Sequence, residues 1–421
     1  MRNNDLVVVG GGLSGLFAAC VAAKAGKKVK VLAYGESTLA VASGVIDVLG
    51  YADDGEYVKN PIEGMKSLTK EHPYAKVDEE TVEEALKTFL HITNECGYPY
   101  IGDIHKNRWI PTAIGKFKPT CLTPKSMNTE VLFKCKHILV VGFEGMKDFY
   151  ADLVAKNLKE QFANEKSISA INVKTDLETE KDLRDISALD IARWISDESG
   201  YNSFKTQVAK AVTEDTVVIL PAVLGLEPDY SILDGLEKSL KTTFIEVFSL
   251  PPAITGLRLH KLLMAYAKKH GVQIIKKANV VSAEVEDGIC KAVVVEGVDR
   301  KRKIYADKFI LATGGAYGGG LIAGIGTMKE PIFDIDIEVP SVQTEWSSKQ
   351  LFTKGKQLFA TFGVKVDEDL TPITKDGKKI ASNVKFVGRS LAGYDFCYEK
   401  SGNGVAIITA YKAAKDFCKV V

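Results

Sequence analysis

The sequence predicts an α/β fold built from two parts, and three observations support that prediction. Apolar, β-branched runs typical of strands alternate with amphipathic helical patterns along most of the 421 residues. A glycine-rich turn separates the first strand from the first helix at the N-terminus. From residue 272 onward, short strands separated by turn residues indicate a β-meander that returns to a core strand near residue 310. A chain of this length accommodates two or three domains of about 100–200 residues each.

Composition and charge exclude several classes of protein. Hydrophobic residues make up 46% and charged residues 26%, so disordered, collagen-like and coiled-coil classes do not fit. The 55 basic and 54 acidic residues leave a net charge of +1, which gives no overall field to attract nucleic acid or an anionic membrane. The seven cysteines lack metal-type Cys-x-x-Cys spacing, so we expect neither a disulfide framework nor a bound metal or iron–sulfur cluster. No apolar run reaches membrane-spanning length and the glycine turn leaves no room for a signal peptide, so we expect a cytoplasmic protein.

The N-terminal turn carries the spacing Gly-x-Gly-x-x-Gly in Gly10, Gly12 and Gly15. The first glycine permits the tight turn, the second lets the backbone approach a pyrophosphate, and the third lets the helix pack on the strand. The backbone N–H groups of Leu13 and Ser14, at the start of the helix, face the same anion. The turn therefore predicts a Rossmann-like domain that binds a dinucleotide or a flavin.

The nucleotide end of that cofactor is less well defined. An acidic residue that holds the ribose usually ends the second strand, about 20 residues after the turn. Here that position is Ala33, and Glu36 follows three residues later. Two interpretations of Glu36 are open: it contacts the ribose, or it is an ordinary solvated loop residue.

Two further blocks place small residues after an apolar strand, at 309–312 and 384–387, and the second leads into the final helix. Their members are Thr313, Gly314, Gly315, Gly388, Arg389, Gly404 and Val405. With the N-terminal turn, these blocks resemble the two-part flavin-binding domain of the glutathione-reductase type, especially its fumarate reductase and succinate dehydrogenase branch. The resemblance implies a Rossmann-like flavin domain with an inserted α/β cap. It also implies that Ser43, Gly44 and Val280 border the flavin.

The final helix and Arg389 carry most of the expected electrostatics. The N–H groups at the start of that helix point at the carbonyl edge of the flavin, where negative charge accumulates on reduction. Arg389 stands where the resembled branch often has an acidic residue. It either favours the anionic reduced flavin or binds phosphate or substrate.

Segments outside these blocks follow the pattern of one family, at 42–47, 72–74, 142–149, 250–258, 318–321, 330–332 and 393–395. Together they resemble the B subunits of the anaerobic glycerol-3-phosphate dehydrogenases over essentially the whole chain. That resemblance implies a non-covalent FMN in a complex with a larger flavoprotein subunit and an iron–sulfur subunit that docks on the inner face of the cell membrane. The implied reaction oxidises sn-glycerol 3-phosphate to dihydroxyacetone phosphate and passes electrons to a quinone through the partners. FAD stays open, because the glycine turn alone favours it whereas Ala33 suits a cofactor without the adenylate half.

Oxidation of an alcohol by a flavin needs a base for the hydroxyl proton, and a phosphorylated substrate needs cations. Eight arginines occur, so those beside turn glycines are informative. Arg258 either forks onto a phosphate or carboxylate between the domains, or lies on a helix surface. His260 is a candidate base or a packed histidine, and His72 is a candidate base or a turn cap. Arg258, His260 and Arg389 are the predicted catalytic residues.

We expect a discontinuous flavin domain at 1–50, 250–330 and 380–421, and a cap domain at 51–249 and 331–379. Two alternatives to substrate oxidation by this chain stay open. One is a stand-alone reductase of the fumarate type, which would need a dense set of arginines and histidines. The other is an electron-transfer or scaffolding subunit whose larger partner oxidises the substrate.

Overall fold

The computed structural model describes residues 4–177, 186–297, 300–350 and 355–418. Its helices are α1 (Leu13–Lys24), α2 (Pro61–Met65), α3 (Glu79–Glu95), α4 (Ala151–Gln161), α5 (Ala188–Ser196), α6 (Glu198–Ala209), α7 (Ser231–Leu240), α8 (Ile254–Lys269), α9 (Phe396–Glu399) and α10 (Gly402–Cys418). Its strands are β1 (Leu6–Val9), β2 (Val29–Ala33), β3 (Tyr100–Gly102), β4 (Arg108–Pro111), β5 (Phe117–Thr120), β6 (Leu122–Pro124), β7 (His137–Phe143), β8 (Ser167–Val173), β9 (Thr216–Pro221), β10 (Thr243–Val247), β11 (Gln273–Lys276), β12 (Asn279–Glu286), β13 (Ile289–Glu296), β14 (Arg302–Tyr305), β15 (Lys308–Leu311), β16 (Ile322–Ala323), β17 (Met328–Glu330), β18 (Ile335–Ile337) and β19 (Val384–Phe386). Of the helices that the structure describes, none is long and apolar enough to cross a membrane.

A five-stranded parallel sheet carries the N-terminal turn. Its strand order is β11-β2-β1-β15-β19, with β1 at the centre. All four side chains of β1 are buried, as expected for a strand covered on both faces. The glycine turn follows β1 directly, so it lies at the carboxyl edge of the sheet, where ligands of open α/β sheets bind.

Helices α1, α8, α10 and α3 pack together beside this sheet. The ring of Phe89 in α3 meets Phe17 of α1 edge-on, with 6.1 Å between centroids. Glu84 of α3 pairs with Lys415 of α10. The amphipathic α3 therefore buries its apolar face against the helices of the first sheet, although its residues fall within the segment 51–249 predicted for the cap.

The predicted meander is confirmed, with one difference. Strands β12, β13 and β14 follow β11 and precede β15 in the chain, and they form an antiparallel sheet of their own. Strand β11, which the pattern grouped with them, instead pairs parallel with β2 from Gln273↔Lys30 to Lys276↔Ala33. It follows the long helix α8 and forms the edge of the five-stranded sheet, next to β2.

A second parallel sheet has the strand order β10-β9-β7-β8. Its strands alternate with α4, α5, α6 and α7, and all of them lie within the segment 51–249. The predicted α/β fold with a Rossmann-like part, a meander and a second α/β part is therefore confirmed. The division into two domains stays a prediction.

A buried ion pair joins α8 to the second sheet. Arg258 of α8 and Glu246 of β10 have side chains that are 1% and 0% exposed. Two guanidinium nitrogens donate to the two carboxylate oxygens at 2.6 and 3.0 Å, and Nε and Nη2 donate to the carbonyl of Gly225 at 3.0 and 2.7 Å. Burial alone would raise the pKa of Glu246, but the adjacent guanidinium lowers that pKa overall. The pair is therefore ionised, and each partner depends on the other.

Replacing Arg258 by methionine leaves the Glu246 carboxylate buried without a cation. We expect the free energy of unfolding to fall by about 3–5 kcal/mol, as measured by urea denaturation of the flavin-free protein. The control Arg193→Met removes an exposed guanidinium whose nearest contact with Asp190 is 3.7 Å, and it should cost less than about 1 kcal/mol. Equal stability of the two variants would contradict this role for the buried pair.

Candidate functional site

The glycine turn has the geometry that an anion site requires. Gly10 has a φ of +121°, and a Cβ there would lie 2.1 Å from the carbonyl oxygen of Ala312. A Cβ on Gly15 would lie 2.0 Å from the carbonyl oxygen of Gly10. At Gly12, by contrast, the nearest atom to such a Cβ is the hydroxyl oxygen of Ser37 at 3.9 Å. Packing therefore demands the first and third glycines, whereas Gly12 leaves open space against the backbone.

The start of α1 faces that open space. Gly12 caps the helix without a side-chain hydrogen bond, so the N–H groups of Leu13 and Ser14 have no helical acceptor. Ser14 also approaches the third block, because a Cβ on Gly388 would lie 2.1 Å from the Ser14 hydroxyl oxygen. The N–H of Gly388 donates to the hydroxyl of Thr409 in α10 at 2.9 Å. Blocks far apart in sequence thus meet at one edge of the sheet.

Residues 43–47 run past the start of α10. The N–H of Gly404 donates to the carbonyl of Asp47 at 2.9 Å, and the Asn403 amide donates to the carbonyl of Val45 at 2.7 Å. On the other side, the hydroxyl of Thr255 donates to the carbonyl of Ser43 at 2.6 Å. Gly44 has a φ of +72°, and its carbonyl accepts from the Tyr100 hydroxyl at 2.6 Å. The segment is held between α8 and α10, and Val405 follows Gly404 in the first turn of α10.

Arg389 lies beside the second block. A Cβ on Gly315 would lie 3.2 Å from the Arg389 side chain. The guanidinium donates from Nη2 to the carbonyl of Ala360 at 2.7 Å and lies 4.7 Å from the ring centroid of Phe396. Burial raises the pKa of the neighbouring Tyr394 to about 12, against the effect of Arg389, so that phenol stays protonated at neutral pH. These contacts place the positive charge of Arg389 beside Gly315, which follows β15.

Residues 10–15, 43–47, 313–315 and 388–389 and the first turn of α10 together make up what we call the groove. Several buried polar atoms around it have no hydrogen-bond partner within the described parts of the chain. They are Oδ1 of Asp47, Oγ1 of Thr313 and Nη1 of Arg389. A buried polar atom left unpaired costs about 1–3 kcal/mol, so such atoms point to a ligand that pairs them. A flavin offers carbonyl and amide groups on its ring and hydroxyls on its ribityl chain. With the open backbone at Gly12, these residues fit a flavin whose phosphate lies at the glycine turn.

His260 and Glu36 lie at the other end of the glycine turn. The imidazole of His260 approaches the backbone of Gly11 and the carboxylate of Glu36, with Lys276 also nearby. Burial lowers the pKa of His260, while Glu36 and the Gly11 backbone oppose that shift, and the net change is downward. Lys276 lies opposite Ala33 in the parallel register of β11 and β2. His260 therefore belongs to the expected nucleotide end, apart from the groove around Arg389.

Val280 lies close to the same end. The N–H of Ala278 donates to the carbonyl of Ala33 at 2.9 Å, which joins the start of the meander to the end of β2. Val280 follows two residues later in β12 and pairs with Val295 of β13. Its backbone is thus placed beside the last residue of β2.

The structure separates the three predicted catalytic residues. Arg258 does not open onto the groove, since Glu246 and the carbonyl of Gly225 occupy its guanidinium. It forks onto a carboxylate, but onto one of the protein's own, so its role is structural, and the alternative of a surface arginine is wrong because the side chain is buried. His260 lies at the glycine turn, and Arg389 lies in the groove. His72 is confirmed as a turn cap, because its Nδ1 accepts from the N–H of Tyr74 at 3.0 Å.

The sequence did not predict one ion pair in the groove. Lys118 of β5 donates to Oδ2 of Asp47 at 2.6 Å, and the two side chains are 14% and 15% exposed. The ammonium also lies 5.1 Å from the ring centroid of Phe248. Asp47 belongs to the segment 42–47 that carried the family resemblance, but a lone lysine in the short strand β5 gives no comparable signal.

Comparisons with known proteins show what this chain is similar to. The family described as "FAD binding domain" matches residues 5–405. A Vibrio cholerae protein, named as the B subunit of anaerobic glycerol-3-phosphate dehydrogenase, is 30% identical, covering 99% of this chain and 97% of that protein. One from Halobacterium salinarum, named as a probable B subunit of the same enzyme, is 34% identical, covering 97% of this chain and 96% of that protein. A solved 3-ketosteroid Δ1-dehydrogenase from Sterolibacterium denitrificans covers 99% of both chains, with 12% identity and a TM-score of 0.47.

The chain therefore belongs to the FAD-binding-domain flavoproteins, which confirms the expected flavin cofactor. Within that class, it belongs to the family of anaerobic glycerol-3-phosphate dehydrogenase B subunits. The family that the sequence segments resembled is thereby confirmed.

A methyl group at Gly12 should block the phosphate without disturbing the protein. We expect Gly12→Ala to weaken flavin binding at least tenfold, or about 1.4 kcal/mol, in titrations of the flavin-free protein. The melting temperature without flavin should stay unchanged, because the new Cβ meets no atom closer than 3.9 Å. Gly35→Ala is the matched control, since a Cβ there meets nothing within 4 Å. Wild-type affinity in Gly12→Ala would refute the phosphate site.

Proposed function

We propose that this chain is the B subunit of a complex that oxidises sn-glycerol 3-phosphate to dihydroxyacetone phosphate. Near-full-length identity of 30–34% to proteins bearing that name supports the proposal. The observation that carries it is that residues 43–47 contact the first turn of α10, while Gly388, next to Arg389, packs against Ala406 of the same helix. In this proposal a larger flavoprotein subunit and an iron–sulfur subunit receive the electrons, pass them to a quinone, and hold the chain at the inner face of the cell membrane.

The flavin supplies the acceptor for the hydride that leaves the carbinol carbon of the substrate. The glycine turn and the N–H groups of Leu13 and Ser14 bind its phosphate. The N–H groups at the start of α10 and the guanidinium of Arg389 provide positive potential beside the groove, where negative charge develops. All of these are tasks of binding and electrostatic stabilisation, so proton removal needs another group.

Asp47 and Lys118 are suited to the substrate itself. One carboxylate oxygen of Asp47 is paired with Lys118, whereas Oδ1 is buried without a partner in the described structure. In our proposal Oδ1 accepts the hydroxyl proton while the hydride leaves, and the C–O single bond becomes a carbonyl. The ammonium of Lys118 pairs with Asp47 and attracts the substrate phosphate.

A second candidate function is electron transfer without substrate chemistry, with the larger subunit oxidising the substrate. The placement of Arg258 and His260 outside the groove favours it, because the groove then holds fewer cations than a phosphorylated substrate would use. The two functions differ in what the isolated chain does with sn-glycerol 3-phosphate.

Anaerobic mixing of the purified, flavin-loaded chain with sn-glycerol 3-phosphate separates them. If the chain oxidises the substrate, the visible absorbance of the oxidised flavin is bleached, and Asp47→Asn slows that bleaching by about 100-fold or more. Dithionite should still reduce the variant fully, and Asp376→Asn at an exposed turn is the matched control. No bleaching of the wild-type chain, combined with bleaching in the assembled complex, would move substrate oxidation to the partner.

The released flavin should be FMN, identified by chromatography and mass after denaturation. The family resemblance and Ala33 at the end of β2 support this expectation, whereas the match to a family of FAD-binding domains supports FAD. Recovery of FAD would contradict it, and would place the adenylate against Glu36 and His260.

A further inference from the structure

A chain of buried hydrogen bonds lies behind the first turn of α10. His72 and Glu399 have side chains that are 2% and 0% exposed, and Nε2 of His72 lies 3.0 Å from Oε2 of Glu399. Since Nδ1 of His72 accepts from the N–H of Tyr74, the proton lies on Nε2. The imidazole therefore donates to Glu399, and both of its nitrogens are engaged.

Glu399 is the centre of this network. Its Oε1 accepts from Nζ of Lys356 at 2.6 Å and from the N–H of Asp395 at 3.2 Å, and its Oε2 also accepts from the Ser401 hydroxyl at 3.1 Å. Burial would raise the pKa of Glu399, but His72 and Lys356 lower that pKa overall. The carboxylate is thus ionised and held by donors from four positions.

The same histidine turn sets the spacing between two walls of the groove. The hydroxyl of Tyr74 donates to the carbonyl of Val48 at 2.6 Å and lies 3.4 Å from the carbonyl of Ser401. A Cβ on Gly404 would lie 2.4 Å from that hydroxyl. Tyr74 therefore sits between the segment that continues from Asp47 and the first turn of α10.

A network of this kind is more costly to bury than apolar packing of the same volume. The network instead fixes the relative positions of its groups, because each donor and acceptor admits a narrow range of distances and angles. It fixes the first turn of α10, where the N–H of Gly404 is bonded to the carbonyl of Asp47 and the N–H groups of Gly402 and Asn403 have no acceptor within the helix. The stabilisation of negative charge by helix N–H groups falls off within one turn, so a small displacement of this turn changes it.

We infer that His72 is a positioning residue for the flavin: through Glu399 and Tyr74 it holds the first turn of α10 against residues 47–48. It thereby sets how much more tightly the chain binds reduced than oxidised flavin. The inference rests on the proposed function only in placing the flavin against α10, and it does not involve sn-glycerol 3-phosphate.

The test compares His72→Leu, His72→Gln and the wild type in flavin midpoint potential and in affinity for oxidised flavin. We expect His72→Leu to weaken binding of reduced relative to oxidised flavin at least tenfold, which lowers the potential by about 30 mV for a two-electron couple. His72→Gln keeps an N–H donor for Glu399. Its ratio of affinities for reduced and oxidised flavin should therefore stay within threefold of the wild-type ratio. His91→Leu is the control, since His91 is 60% exposed and pairs with Glu95 on the surface.

An unchanged ratio in His72→Leu, with lower stability of the flavin-free protein, would overturn the inference and leave a structural role only. If His72→Leu does not fold, Tyr74→Phe removes the bond to Val48 while keeping the ring. A lower potential in Tyr74→Phe supports the inference, and an unchanged potential overturns it. Failure of the chain to oxidise sn-glycerol 3-phosphate would refute the proposed reaction but would not alter these potentials.

Discussion

The backbone of Gly10 passes so close to Ala312 that a single methyl group would lie 2.1 Å from the carbonyl oxygen. This contact brings the end of β1 against the end of β15, and it forces the chain to turn into α1 at the carboxyl edge of the sheet. The third glycine, Gly15, then packs α1 on the carbonyl of Gly10. The other parts of the groove are positioned by contacts with that turn: Ser14 lies against Gly388, and Gly388 in turn contacts α10.

Charged side chains in the protein interior differ from those around the groove in whether all of their polar atoms are paired. Arg258 and Glu246 pair with each other in the interior, and the carbonyl of Gly225 accepts from the same guanidinium, so their contribution is to hold α8 against the second sheet. Around the groove, Asp47 and Arg389 each keep a buried polar atom without a partner in the described residues. Unpaired groups of this kind are costly in a folded protein, which is why they mark the place for a ligand rather than for packing.

Local patterns predicted the elements around the glycine turn well. The apolar run of residues 6–9 predicts a strand, and β1 lies at Leu6–Val9; the helical pattern of residues 79–96 predicts a helix, and α3 lies at Glu79–Glu95. Strands of two or three residues, such as β16 and β18, carry too little periodicity to be recognised. Side-chain partners were harder: spacing cannot show that Arg258 turns inward to β10, and Lys118 meets Asp47 from 71 residues away.

Amide hydrogen exchange with and without added flavin tests most directly that these segments form one flavin site. The account predicts slower exchange on flavin binding in four segments: residues 10–15, residues 43–47, residues 313–315 and the first turn of α10. The exposed strand β14, far along the meander, should exchange equally in both states. Protection confined to other segments, or none despite bound flavin, would contradict the account.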